Sequence, residues 1–114
     1  MISGKKTNSG QLAEQQAREY LQRQGLSFVA SNVRFPFGEI DLVMQDQQSL
    51  VFVEVKYRQS TAFGGAINAI SAKQIKRIRL SANAYLQQQA INPPCRFDLV
   101  AINHNQIDWI KGCF

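Results

Sequence analysis

Residues 38–58 read G-E-I-D-L-V-M-Q-D-Q-Q-S-L-V-F-V-E-V-K-Y-R. Two strand-forming runs, Gly38–Gln45 and Leu50–Arg58, flank a short polar turn at Asp46–Ser49. Both runs are almost wholly apolar apart from Glu39, Asp41, Glu54 and Lys56. A charge inside such a run costs several kcal/mol unless it is paired, hydrated or bound to a cation. The placement of these four is therefore the main clue to function.

Their register follows from the turn. A two-residue loop pairs Asp46 with Ser49, and a four-residue loop pairs Gln45 with Leu50. Either sets Asp41 opposite Glu54 and Glu39 opposite Lys56. An odd loop would send side chains to the wrong face. In the even register Ile40, Leu42 and Met44 match Val55, Val53 and Val51 on one face. The other face carries Val43 with Phe52 near the turn, then the charges. Directly opposed residues have Cβ atoms roughly 5 Å apart. Two carboxylates that close repel unless one takes a proton or a cation sits between them. Lys56, two residues from Glu54, points the same way. An Asp, a Glu and a Lys are expected to converge.

The rest of the chain frames this hairpin. At 114 residues it forms a single domain, 1–114, with a loose polar segment at 1–8. Lys and Arg outnumber Asp and Glu by 13 to 8, a formal charge of +5. That favours an anionic partner, nucleic acid before a membrane surface, although many small basic proteins bind neither. Cys95 and Cys113 lie far apart without CxxC spacing and read as incidental thiols. No signal peptide or membrane-length apolar run is visible, so the expected location is the cytoplasm.

A helix is expected over Gly10–Gln24, capped by Asn8 or Ser9, with Ala13, Ala17, Tyr20 and Leu21 on its buried stripe. Glu14 borders that stripe; it either reaches over the sheet or makes a surface pair with Arg18. Gly25 ends the helix, and Leu26–Phe35 reads as a strand. After the hairpin, Tyr57–Gly65 forms a loop; its glycine pair serves close backbone approach or plain connection. Phe63 is either the anchor of that loop or a stacking surface for a base.

Ser71-Ala72-Lys73-Gln74 fits a capping box, S-x-x-Q, opening a helix to about Gln89. Lys73, Lys76, Arg77 and Arg79 crowd its first two turns, against the helix dipole. A phosphate backbone lying there would account for them, as would a solvated basic face. Cys95–Ile102 is a strand and Gln106–Lys111 a final strand, with His104 in the turn between. The order α, β, β, β, α, β, β predicts an α/β fold: a mixed five-stranded sheet with helices on both faces. Strands one to three form an antiparallel meander, and the second helix crosses over to a strand parallel to the third.

An acid on one strand and Glu-x-Lys on the next suits metal-dependent phosphodiester cleavage. Asp41, Glu54 and the carbonyl of Val55 would hold Mg²⁺, or Mn²⁺ as a substitute. Lys56 would orient a water or offset charge on the phosphate oxygens. Taken alone, D…E-x-K is a weak motif, and a plain salt-bridge network also fits.

G-E-I-D-L-V at 38–43 and F-V-E-V-K-Y-R at 52–58 closely resemble the YraN family of small bacterial proteins. So do G-x-x-A-E-x-x-A-x-x-Y-L at 10–21, F-G at 63–64, Lys73 with Ala82 and Tyr85-Leu86, and R-F-D at 96–98. That family is assigned to the PD-(D/E)xK, restriction-endonuclease-like superfamily and resembles archaeal Holliday junction resolvases. The resemblance implies an αβββαβ core and Glu14, Asp41, Glu54 and Lys56 as active-site residues. Ile40 stands where the superfamily motif has proline. Arg58, Lys73, Lys76 and Arg77 are expected to bind nucleic acid; Glu39, Gln74 and Asp98 are candidate supporting residues. The expected activity is Mg²⁺-dependent cleavage of DNA, branched or single-stranded. The alternative is a nucleic-acid-binding module that keeps the fold without cutting. Junction resolvases work as dimers, which leaves a homodimer open.

Overall fold

A computed structural model describes residues 9–57, 70–103 and 106–114. Helix α1 spans Ser9–Arg23, strand β1 Ser27–Phe35, β2 Gly38–Asp46 and β3 Ser49–Tyr57. Helix α2 spans Ala72–Gln89, followed by β4 Cys95–Ile102 and β5 Ile107–Ile110. The five strands form one mixed sheet in the order β1-β2-β3-β4-β5. Among the described residues only β3 and β4 run parallel, joined by the α2 crossover. The α/β architecture expected from the sequence is the one observed. The segment 1–8, Arg58 and most of its loop with Phe63, and His104 lie outside the described residues.

Local signals set the element ends. Gly25 has φ +104, and the amide of Leu26 donates to the Leu21 carbonyl, closing α1. At α2, Ser71 Oγ accepts from the Gln74 amide at 3.1 Å, and Gln74 Oε1 accepts from the Ser71 amide at 3.2 Å. This is the complete capping box. Ala90 ends α2 in the left-handed region, just before the Asn92-Pro93-Pro94 stretch.

Two apolar layers sandwich the sheet. Under α1, Ala13, Ala17 and Leu21 pack on Leu42, Met44, Val51, Val53, Val100 and Ile102. Ala13 and Ala17 are fully buried, and their small side chains let α1 lie close to β3. Under α2, Ala82 and Tyr85 pack on Ile40, Val43, Leu50 and Phe52.

The sequence alternation places Ile40 on one face with Leu42 and Met44, but Ile40 packs on the α2 side with Val43 while Leu42 and Met44 pack on the α1 side. On β1, Ala30 and Val33 likewise both pack on the α2 layer. Residues three apart on a regular strand face opposite sides. The pleat is therefore broken in both strands over Ser31–Asn32 and Asp41–Leu42. Asn32, with φ +51, supplies the local kink; asparagine tolerates this region better than most residues.

Candidate active site

The β2–β3 ladder has the expected even register, from Asp46↔Ser49 to Leu42↔Val53. There it stops, one residue short of Asp41 and Glu54. Beyond that point Asp41 Oδ2 accepts the Val55 amide at 2.8 Å. A side-chain oxygen replaces a backbone carbonyl as the partner of that N–H. The Asp41 carboxylate is thereby fixed in the gap where the two strands part.

Four more charged groups surround this gap. One carboxylate oxygen each from Glu14, Glu39 and Asp41 lies within 4.8 Å of the other two. Glu14 comes from α1, so it reaches over the sheet. Glu54 Oε2 stands 3.4 Å from Lys56 Nζ, both largely buried. Glu39 ion-pairs at 3.3 Å with Arg34, its register neighbour on β1, rather than with Lys56 across the hairpin. Gln74, Arg77 and Ile78 of α2 join Glu39, Asp41 and Glu54 around a cleft of about 290 Å³.

Burial sets the electrostatics. Removal from water raises the Glu54 carboxyl to about 8, helped by the neighbouring Asp41 charge and opposed by Lys56. Burial also raises Asp41, opposed first by the Val55 hydrogen bond. Such a pair holds a proton between its members near neutral pH or accepts a cation in its place.

The structure thus brings Glu14, Glu39, Asp41, Glu54 and Lys56 to one place. The Gln74 side chain lines the cleft while closing the capping box. Lys73 and Lys76 lie on the exposed start of α2, outside the carboxylate cluster. Asp98 is engaged elsewhere. It is fully buried and accepts from Arg96 Nε and Nη2, Trp109 Nε1 and the Gly112 amide, all at 2.9–3.0 Å. It braces β4 against β5 and the following turn, and among the described residues no contact ties it to the cluster.

Asn32 escaped the sequence reading. It lies between the Ser31↔Leu42 and Val33↔Ile40 pairs, across from Asp41. Its buried carboxamide oxygen has no hydrogen-bond partner among the described residues. A strand-depleted asparagine inside the run S-F-V-A-S-N-V-R-F was the available signal.

The family model described as "Uncharacterised protein family UPF0102" matches residues 13–102, which span every residue of this cluster. A UPF0102 protein of Shewanella frigidimarina is 64% identical over 107 residues, covering 94% of this chain and 99% of that protein. One from Shewanella denitrificans is 62% identical over 106 residues, covering 93% and 98%. One from Shewanella oneidensis is 58% identical over 105 residues, covering 92% and 97%. The chain belongs to the UPF0102 family.

Proposed function

We propose that this protein is a divalent-cation-dependent endonuclease that hydrolyses DNA phosphodiesters. The reading rests on one observation above others: buried Asp41, pinned by the Val55 amide, lines one cleft with Glu39 and Glu54, with a Glu14 carboxylate oxygen within 4.8 Å of it and Lys56 paired to Glu54. Burying several carboxylates together is unfavourable unless protons or cations compensate them. The likeness to the YraN family and to junction resolvases supports the same reading.

The donor set fits Mg²⁺ or Mn²⁺. Asp41, Glu14 and Glu39 offer hard carboxylate oxygens, with Glu54 beside them, and among the described residues no soft ligand joins the group. When bound, such a cation supplies Lewis acidity and makes a coordinated water acidic. Asp41 presents a fixed oxygen, because the Val55 N–H sets its orientation. Without a cation, burial and the Asp41 charge hold the Glu54 carboxyl near 8; with one bound beside it, Glu54 gives up that proton and becomes a carboxylate able to accept one from water. Lys56 places an ammonium beside Glu54, where it offsets negative charge gathering on a bound phosphate. Arg77, across the cleft on α2, is placed to hold that phosphate by its flanking oxygens.

The test is cleavage of labelled junction, flap and linear DNA by pure protein, with and without Mg²⁺ or Mn²⁺. Cutting that requires the cation and disappears in Asp41→Asn and Glu54→Gln is the expected result. Cutting that survives both substitutions, or none with either metal, overturns the enzyme reading. Salt-sensitive binding without cutting would leave a recognition module on the same fold.

A further inference from the structure

Beside the carboxylate cleft lies a second groove that shares Gly38 and Arg77 with it but has an aromatic face the cleavage chemistry leaves unused. It holds about 640 Å³ between the β1–β2 turn and the start of α2. Its floor is aromatic. Phe35 and Phe37 stack with centroids 5.6 Å apart and planes 4° from parallel. Phe37 sits in the two-residue turn Pro36-Phe37 and is 44% exposed, high for a large apolar ring. Its wall is cationic, formed by Lys73, Lys76 and Arg77. Among the described residues none of these three is ion-paired.

The turn lies close against α2. A Cβ built on Gly38 would stand 2.9 Å from Ser81 Oγ and 3.2 Å from the Arg77 carbonyl. The backbone therefore lies directly on α2, and only glycine leaves room for that approach. Gly38 and Arg77 line both this groove and the carboxylate cleft.

We infer that this groove binds an unpaired nucleotide next to the scissile phosphate, its base stacked on Phe37 and its backbone held by Lys73, Lys76 and Arg77. Charge complementarity selects the occupant. Three unpaired cations ask for a polyanion, and a pre-stacked exposed ring offers a base its π-face. An intact duplex keeps its bases stacked inside and gains nothing from the ring. The groove thus favours DNA with single-stranded character, such as a flap or a branch. The inference deepens the endonuclease reading and rests on it only for the position of the scissile bond.

The experiment measures binding of the full chain without divalent cation, so that affinity is read apart from cutting. The probes are a single-stranded oligonucleotide carrying 2-aminopurine, a flap and a blunt duplex. In Phe37→Ala the single-strand and flap affinities should fall roughly fivefold to a hundredfold. Duplex affinity should stay within about twofold, and the 2-aminopurine quenching should vanish. Phe37→Trp should restore both signals. Lys76→Ala should weaken all three probes alike and lower the salt slope by about one. Equal losses on duplex and single strand in Phe37→Ala, no loss at all, or absence of single-strand binding by the wild-type chain would each overturn the inference. So would displacement of the oligonucleotide by polyglutamate at equal charge concentration. Cation-dependent cutting with a silent Phe37→Ala rejects the groove and spares the enzyme. A single-strand-selective loss without cutting of any DNA does the reverse.

Discussion

Asp41 and Asp98 are both buried carboxylates, on strands of one sheet, and they are treated in opposite ways. Asp98 receives four hydrogen bonds from three residues, two of them from the Arg96 guanidinium. Arg96 also reaches Asp46 at 3.1 Å, tying β4 to the β2–β3 turn. Each carboxylate oxygen of Asp98 accepts two of those four bonds. Asp41 has the Val55 amide, then a crowd of other acids. One end is a closed network and the other is open to a ligand. A buried charge becomes informative about function when its neighbours fail to neutralise it.

The contrast is broken most directly at Asp98. In Asp98→Ala the Arg96 guanidinium loses its bidentate partner, and the Trp109 and Gly112 N–H groups lose their acceptor. The expected cost is about 3–5 kcal/mol, as for other broken buried pairs. Urea unfolding measures it. Asp41→Asn keeps an acceptor for the Val55 amide and removes a repelling charge, so it should cost nothing at alkaline pH.

Glu54→Gln tests the sign of that repulsion. The folded carboxyl titrates near 8, well above its ordinary 4.5. The protonated form is therefore favoured by folding. Its contribution is complete below about 4.5 and is lost as pH rises through about 8. The variant carries no such proton. It should be more stable than wild type above that window, by on the order of a few kcal/mol, with the advantage gone in acid. Unfolding measured across the pH range without metal decides it. A variant less stable than wild type at every pH would show that Lys56 outweighs burial and Asp41 together.

If the open end takes a cation, the same linkage reappears as metal affinity. Binding must displace the proton shared around Glu54, so Mn²⁺ affinity should climb with pH and level off above about 8. At a hundred times Kd the ion should stabilise the wild-type fold by ~2.7 kcal/mol. Calorimetric titration in buffers of different ionisation enthalpy counts the released protons. No heat and no shift in unfolding temperature would leave the open end without the cation proposed for it.

How far these two ends were legible in the sequence differs for physical reasons. The hairpin register followed from turn length and alternation, and both survive in the ladder from Asp46 to Leu42. The capping box and the parallel crossover were local or topological rules, and they held. Ile40 changed faces because alternation was carried through a break made by Asn32 on the adjacent strand. A pattern within one strand cannot register a kink imposed by its neighbour. Asp98 stood in the sequence beside Arg96 and within reach of a catalytic role. Its partners Trp109 and Gly112 come from a later strand and turn, so only the fold reveals that it is saturated. Glu14 was the converse case. Its position beside Ala13 and Ala17 left two readings open, and the close approach of α1 set it among the acids.

Trp109→Phe gives the gentlest measure of how independent the two ends are. The indole ring packs edge-on against Tyr20 at 6.2 Å and stacks under Lys111. A phenyl ring keeps most of that surface. What disappears is the N–H donated to Asp98 Oδ2, an oxygen that Arg96 Nη2 still serves. Because the acceptor stays satisfied, the loss should be about 1 kcal/mol rather than the full penalty for an orphaned group. Tyr20 lies on α1, the helix that carries Glu14, so a ring shift would reach the cluster through that helix. Mn²⁺ affinity unchanged in Trp109→Phe means that the indole N–H bond to Asp98 plays no part in setting the position of Glu14. A weakened Mn²⁺ site would mean that the closed network at Asp98 also sets the position of Glu14.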